Sequence, residues 1–234
     1  MPDRKWLTDR APDTATAAAE PHTAPARDEQ PEARPDDRVT MLHVDMLSQT
    51  TLDPDYPGRP SFPPLVSTAV RQALFGPMAF VASPAPGYPD AIEVTNDWTD
   101  DQLVRVVIPQ LVGVHGAPRG AGIWFHQRGA TALQALWQAW EDRGLLHLIL
   151  SFDGAYRIRF ARGQAHRKVL SRHAFGTAFD INAVFNRNGA APAALKQPGC
   201  VYPLVPVAHE FGFFWGGHFA RPSGGHFELA RVQG

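Results

Sequence analysis

The sequence predicts an α+β fold, a small antiparallel sheet flanked by helices and preceded by a disordered N-terminal tail. Three observations predict it. A helical period of apolar residues runs from Thr131 to Arg143. Two short stretches near Asp180 and His226 alternate apolar and polar residues in the manner of half-buried strands. The first forty residues show neither pattern. With 234 residues, the chain is long enough for one domain with a well-formed core plus appendages.

Residues 1–40 are polar and rich in Pro, Ala, Asp and Arg, with Trp6 as their one aromatic. Such a segment buries too little apolar surface to offset the entropy of ordering it, so it reads as a disordered tail or linker. It has no continuous apolar run, which argues against a secretory signal peptide or a transmembrane anchor there. Residues 41–130 read as an irregular lead-in with short helices packed on the domain. From Ser61 to Pro89 aromatics are mixed with prolines, with room for one short helix around Thr68–Leu74. A second helix is expected from Thr99, whose hydroxyl can cap it while Gln102 reaches back, and Pro109 ends it.

Residues 131–234 form the expected core. Its clearest helix runs from Thr131 to Arg143. Thr131 and Gln134 make a capping-box pair, Leu133, Leu136, Trp137 and Trp140 form the apolar stripe, and Gly144 takes the left-handed cap. Leu145 to Ser151 reads as a buried strand closed by the turn signal Asp153-Gly154. A last helix is expected over Leu204 to Phe211, stopped by Gly212. No internal repeat is visible.

Composition excludes several classes. A formal net charge of -1 gives no basic footprint for nucleic acid or for a membrane surface. The single cysteine, Cys200, excludes an intramolecular disulfide framework and a thiolate metal cluster, and reads as a small buried thiol. Of the 10 histidines, His22, His43, His115, His126, His147, His166 and His209 default to structural or surface roles.

The remaining candidates converge. Taking Thr177 to Phe185 as a strand, Ala178, Asp180 and Asn182 face one side and Phe179, Ile181 and Ala183 the other. His173 lies just upstream, before Gly176, in a turn able to fold over the same face. Near the C-terminus His226 and Glu228 point one way, Phe227 and Leu229 the other. Two strands therefore offer His173, Asp180 and His226 to one point. Two imidazoles and a carboxylate are a donor set for one zinc ion with an open fourth position. Glu228 is a same-face neighbour able to orient a ligand or polarise water.

The stretch S-R-H-A-F-G-T-A-F-D at Ser171–Asp180, followed by W-G-G and then G-G-H-F-E ending at Glu228, resembles the zinc peptidases of bacterial cell-wall peptides. That family includes D-alanyl-D-alanine carboxypeptidases and the L-alanyl-D-glutamate endopeptidases of phage lysins. The resemblance runs from about Leu133 to Ala230. It implies a Hedgehog/DD-peptidase-like fold, with zinc held by His173, Asp180 and His226 and peptidoglycan stem peptides as substrate. It also implies that Arg159, in Y-R-I-R-F-A-R-G, sits near the scissile carbonyl or the substrate carboxylate. That task suits a guanidinium, which is always charged and can bind in bidentate fashion; the alternative is a surface arginine in a cluster with Arg157 and Arg162. Ser171 would support a ligand or bind substrate. Trp215, Gly216 and Gly217 would form a turn beside the cleft, where Trp215 and His218 would bind substrate.

One position departs from the family pattern. Asp or Glu usually stands three residues before the last histidine as general base; here that residue is Ser223. A serine takes no proton at neutral pH without a base of its own, and general-base help contributes roughly 10²–10⁴-fold. Three accounts stay open: Glu228 or His218 supplies the base, another carboxylate such as Glu210 folds in, or the domain is a catalytically silent module that binds wall peptide or a partner protein. The chain is expected to be a monomer, made in the cytoplasm and acting at the cell wall or periplasm after phage-type or other delivery without a signal peptide.

Overall fold

Residues 54–232 are described in the computed structural model; the tail expected over 1–40 lies outside them. Helix α1 (Thr68–Phe75) begins where the Ser67 hydroxyl accepts a bond from Val70 N–H at 3.1 Å. Strands β1 (Phe80–Ala82) and β2 (Ile92–Val94) pair as an antiparallel hairpin. The helix expected at Thr99 is a five-residue turn, α2 (Trp98–Gln102), with Asp97 as its N-cap. The chain then becomes strand β3 (Leu103–Val107), antiparallel to β4 (Gly122–His126). The β-branched run Val104, Val106, Val107 favours a pleated strand over a helix, and this overrides the capping signal.

Helix α3 (Gln127–Asp142) starts four residues ahead of the expected Thr131. Its N-cap is His126, whose Nδ1 accepts from Arg128 N–H at 3.1 Å, leaving Nε2–H to donate to the Phe75 carbonyl at 3.0 Å. Imidazole is an uncommon cap, so the start is hidden from side-chain rules. Gly144 adopts φ +67° at the far end, as expected. The strand expected over Leu145 to Ser151 is instead a 3-10 turn, Leu146–Leu148, followed by strand β5 (Phe152–Gly154), which contains the Asp153-Gly154 pair. The N–H groups of Leu150 and Ser151 are taken by the Asn182 side chain, at 2.7 and 3.1 Å, rather than by a neighbouring strand.

Strand β6 (Ala178–Ile181) is shorter than expected because Asn182 turns left-handed, φ +53°. Helix α4 (Leu204–Glu210) and strands β7 (Phe213–Trp215) and β8 (His226–Leu229) complete the fold. The main sheet is antiparallel in the order β5-β6-β8-β7.

Alternation along β6 and β8 divides the sheet into two faces. On one, Phe179 stacks on its register partner Phe227 at 5.5 Å, and Trp137 and Trp140 of α3 cover the pair. Leu133, Leu136, Trp137 and Trp140 are fully buried, each contributing on the order of 1.5–3 kcal/mol relative to exposure. The Trp140 indole N–H donates to the Leu204 carbonyl at 3.1 Å and ties α3 to α4. The other face carries Asp180 opposite His226 and Ala178 opposite Glu228.

The lead-in braces this second face. Buried Arg71 donates to the carbonyls of Leu65 and Leu170, and the Thr68 hydroxyl accepts from Leu170 N–H at 3.0 Å. Phe75 and Trp98 pack against Phe175. The residues from Pro57 onward belong to one compact unit, in which α3 runs across the boundary expected at residue 131. No helix of the described residues is long and apolar enough to cross a membrane.

Candidate metal centre

His173 rides on a 3-10 turn, Arg172–Phe175. The Ser171 hydroxyl caps the turn by accepting from His173 N–H at 3.3 Å, and Gly176 closes it at φ +59°. A Cβ at Gly176 would lie 2.6 Å from the Leu103 side chain and 3.2 Å from His126 N, so glycine is required by both conformation and space. The His173 Nδ1–H donates to the Ala155 carbonyl at 2.5 Å, which makes Nε2 the nitrogen that faces Asp180 Oδ2, at 3.2 Å, and the one that would meet a metal.

Asp180 and His226 meet because they are direct cross-strand partners in the β6–β8 register. His226 Nδ1 lies 2.8 Å from Asp180 Oδ1, and His226 Nε2 lies 3.3 Å from Glu228 Oε2. The strands can approach this closely because residue 225 is glycine: a Cβ there would fall 2.1 Å from the Ile181 carbonyl carbon's oxygen, the strand bond Ile181 N–H to Gly225 O being 2.9 Å. Donor atoms of His173, Asp180 and His226 all lie within 4.8 Å of one another. Bonds of roughly 2.0–2.2 Å from nitrogen and carboxylate oxygen to zinc fit a cluster of that size. The donor set and the fixed His173 ring suit the ion.

Electrostatics follow from this packing. Burial works against charge on Asp180, but the charges and hydrogen bonds of His173 and His226 outweigh it and hold the carboxyl well below its usual range. Burial also works against charge on His226, yet its bonds to Asp180 and Glu228 raise that ring to about 9. In the metal-free protein His226 is therefore protonated at neutral pH.

The other expected residues fall in distinct places. Arg159 is half-buried, its backbone bridged to Ala91 just before β2 and its guanidinium donating to the Phe160 carbonyl at 3.1 Å. Burial and then Arg162 lower its pKa, while the nearby Asp180 charge supports its protonated form. Ser223 donates its N–H to Gly216 O and its carbonyl accepts from His226 N–H, both at 3.0 Å, so the turn sets it beside the start of β8. Glu228 is 1% exposed and paired with Arg172.

Trp215 departs from its expected place. It pairs opposite Phe227 and so belongs to the core face, fully buried, with its indole N–H on Gly224 O at 2.7 Å. A ring so placed presents no surface to a substrate; it braces the loop that leads into His226. His218 is also buried, stacked on His209 and within 3.2 Å of the Gly58 carbonyl through Nε2, and burial lowers its pKa to about 4. Glu210 pairs with Arg143 at the surface, at 2.7 Å, which removes it as a base in the site. Sequence reasoning missed Arg172, although it stands between Ser171 and His173 in the motif. It also missed the Ala155 carbonyl, which no side-chain pattern marks.

Residues 164–229 match the family model described as D-alanyl-D-alanine carboxypeptidase, a zinc peptidase family, which supports the resemblance seen in the motifs. The matched stretch contains the His173 turn, β6 and β8. Against the curated proteins and against the solved structures the chain gives no match.

Proposed function

We propose that the protein is a zinc-dependent peptidase that hydrolyses peptide bonds in peptidoglycan stem peptides, of D,D-carboxypeptidase or L-Ala-D-Glu endopeptidase type. The convergence of His173, Asp180 and His226 on one point, inside the segment that matches the peptidase family, carries this reading. Zinc, when bound, polarises a carbonyl and lowers the pKa of water to roughly 7. His173 Nε2, an Asp180 oxygen and His226 Nδ1 would hold the ion. The Arg159 guanidinium, always charged, stabilises negative charge developing on the scissile carbonyl or binds a substrate carboxylate. Residues 131–234 form the peptidase-like core, preceded by the lead-in over 41–130. The cell wall is the site of action.

Ser223 favours a second reading. It stands in the turn where a carboxylate would accept the proton from water, so turnover is weak, or the module binds wall peptide without cleaving it. Incubating the zinc-loaded protein with peptidoglycan fragments and measuring new amines separates the two. Release above a His226→Ala control supports the peptidase; release equal to that control, with zinc bound by the wild type, leaves the binding module.

A further inference from the structure

We propose that Glu228, clamped by Arg172, is a positioning residue that orients His226 toward the metal and is not the group that takes the proton from water. This rests on the zinc-site reading above. The two nitrogens of an imidazole point away from opposite sides of the ring. His226 turns Nδ1 to Asp180, at 2.8 Å, and Nε2 to Glu228, at 3.3 Å. An ion held by Nδ1 together with Asp180 and His173 therefore has the ring between itself and Glu228. A carboxylate behind the ring is badly placed to reach water at the ion's open position. It is well placed to accept Nε2–H, which fixes both the ring's orientation and the nitrogen left for the metal.

Arg172 completes the device. Its Nε forms an ion pair with Glu228 Oε2, and its guanidinium lies over the Phe219 ring at 4.5 Å. Phe219 in turn packs against His226, with ring centroids 5.9 Å apart. Arg172 belongs to the same 3-10 turn as His173. One turn thus supplies a ligand and also clamps the support of the ligand on β8, joining the S-R-H and H-F-E motifs through side chains. The pair is poorly built for stability. Glu228 is buried, yet its Oε1 lacks a hydrogen-bond partner among the described residues. Taking such charges out of water costs about what their attraction returns. A service to His226 accounts for the pair better than a contribution to folding.

The test compares wild type with Glu228→Leu and Glu228→Gln, using zinc affinity by chelator competition and long-range ¹H–¹⁵N spectra of the zinc-loaded wild type. The spectra should show His226 protonated at Nε2 and bound to zinc through Nδ1. Leu removes the acceptor and should weaken zinc by about 10–100-fold. Gln keeps an acceptor oxygen and should restore most of that affinity and retain turnover. Unchanged affinity in the Leu variant, or metal on Nε2 in the wild type, overturns the proposal. So does a roughly 10²–10⁴-fold loss of turnover in the Gln variant with zinc still bound, the signature of a missing base. If Leu does not fold, the wild-type spectra and the Gln variant still decide. A wild type that binds no zinc sinks the metal-site reading itself, a result distinct from the others.

Discussion

Zinc must compete with a proton at His226, and the size of that competition can be worked from the site. Hydrogen bonds donated by the ring to Asp180 and Glu228 hold metal-free His226 at about 9 against an ordinary 6.5, outweighing the opposite effect of burial. At pH 7 the ring is therefore protonated in roughly 99% of molecules, and the ion must displace that proton to reach Nδ1. Apparent zinc affinity should rise by about tenfold per pH unit between pH 6.5 and 9, roughly 100-fold from pH 7 to 9, and then level off. Stability of the metal-free protein should move the opposite way. A raised folded-state pKa contributes stability that is complete below 6.5 and lost as pH rises through 9, about 3 kcal/mol for this shift. Chelator-competition titrations at half-unit pH steps read the first effect, and urea unfolding of the metal-free protein reads the second. A zinc affinity that stays flat from pH 6.5 to 9 would refute the assignment of His226 as a ligand protonated in the metal-free state.

Three further outcomes are expected. Ser223→Asp places a carboxylate in the turn beside His226 and should raise the rate of amine release from peptidoglycan fragments; an unchanged rate at equal zinc occupancy would show that the base is not missing from that position. Gly225→Ala sets a Cβ 2.1 Å from the Ile181 oxygen, so the β6–β8 pairing must open at the Asp180–His226 rung, and zinc binding should fall more than secondary structure does in circular dichroism. Trp137→Ala empties the centre of the face shared by α3 and the sheet and should cost roughly 3–5 kcal/mol in urea unfolding, whereas a loss under 1 kcal/mol would mean that the core is not built around that ring.

The convergence of Asp180 and His226 was legible because it rests on local alternation. Asp180, His226 and Glu228 fall on one face whatever the wider topology, and apolar Phe179 and Phe227 mark the opposite face. The same logic locates Trp215 on the core side once the β7–β8 register is known, but register is a tertiary fact and does not show in the sequence. Element boundaries failed where the deciding group is unusual or distant. His126 caps α3 in place of Thr131, and Asn182, thirty residues on, takes the N–H groups that a strand over Leu145 to Ser151 would have paired. The β1–β2 hairpin escaped because the proline-rich stretch carries short strands without a clear period. Arg172 was in plain view, but its partner lies 56 positions away on β8 and only the fold brings the two together.

The central claim is that His173, Asp180 and His226 hold one zinc ion. Crystals of the protein grown with zinc and measured on both sides of the zinc absorption edge test it most directly. A single anomalous peak is expected, bonded to His173 Nε2, an Asp180 oxygen and His226 Nδ1, at about 2.0–2.2 Å from each. Zinc-saturated crystals with no peak among these three side chains, or with the ion bound elsewhere on the chain, would contradict it.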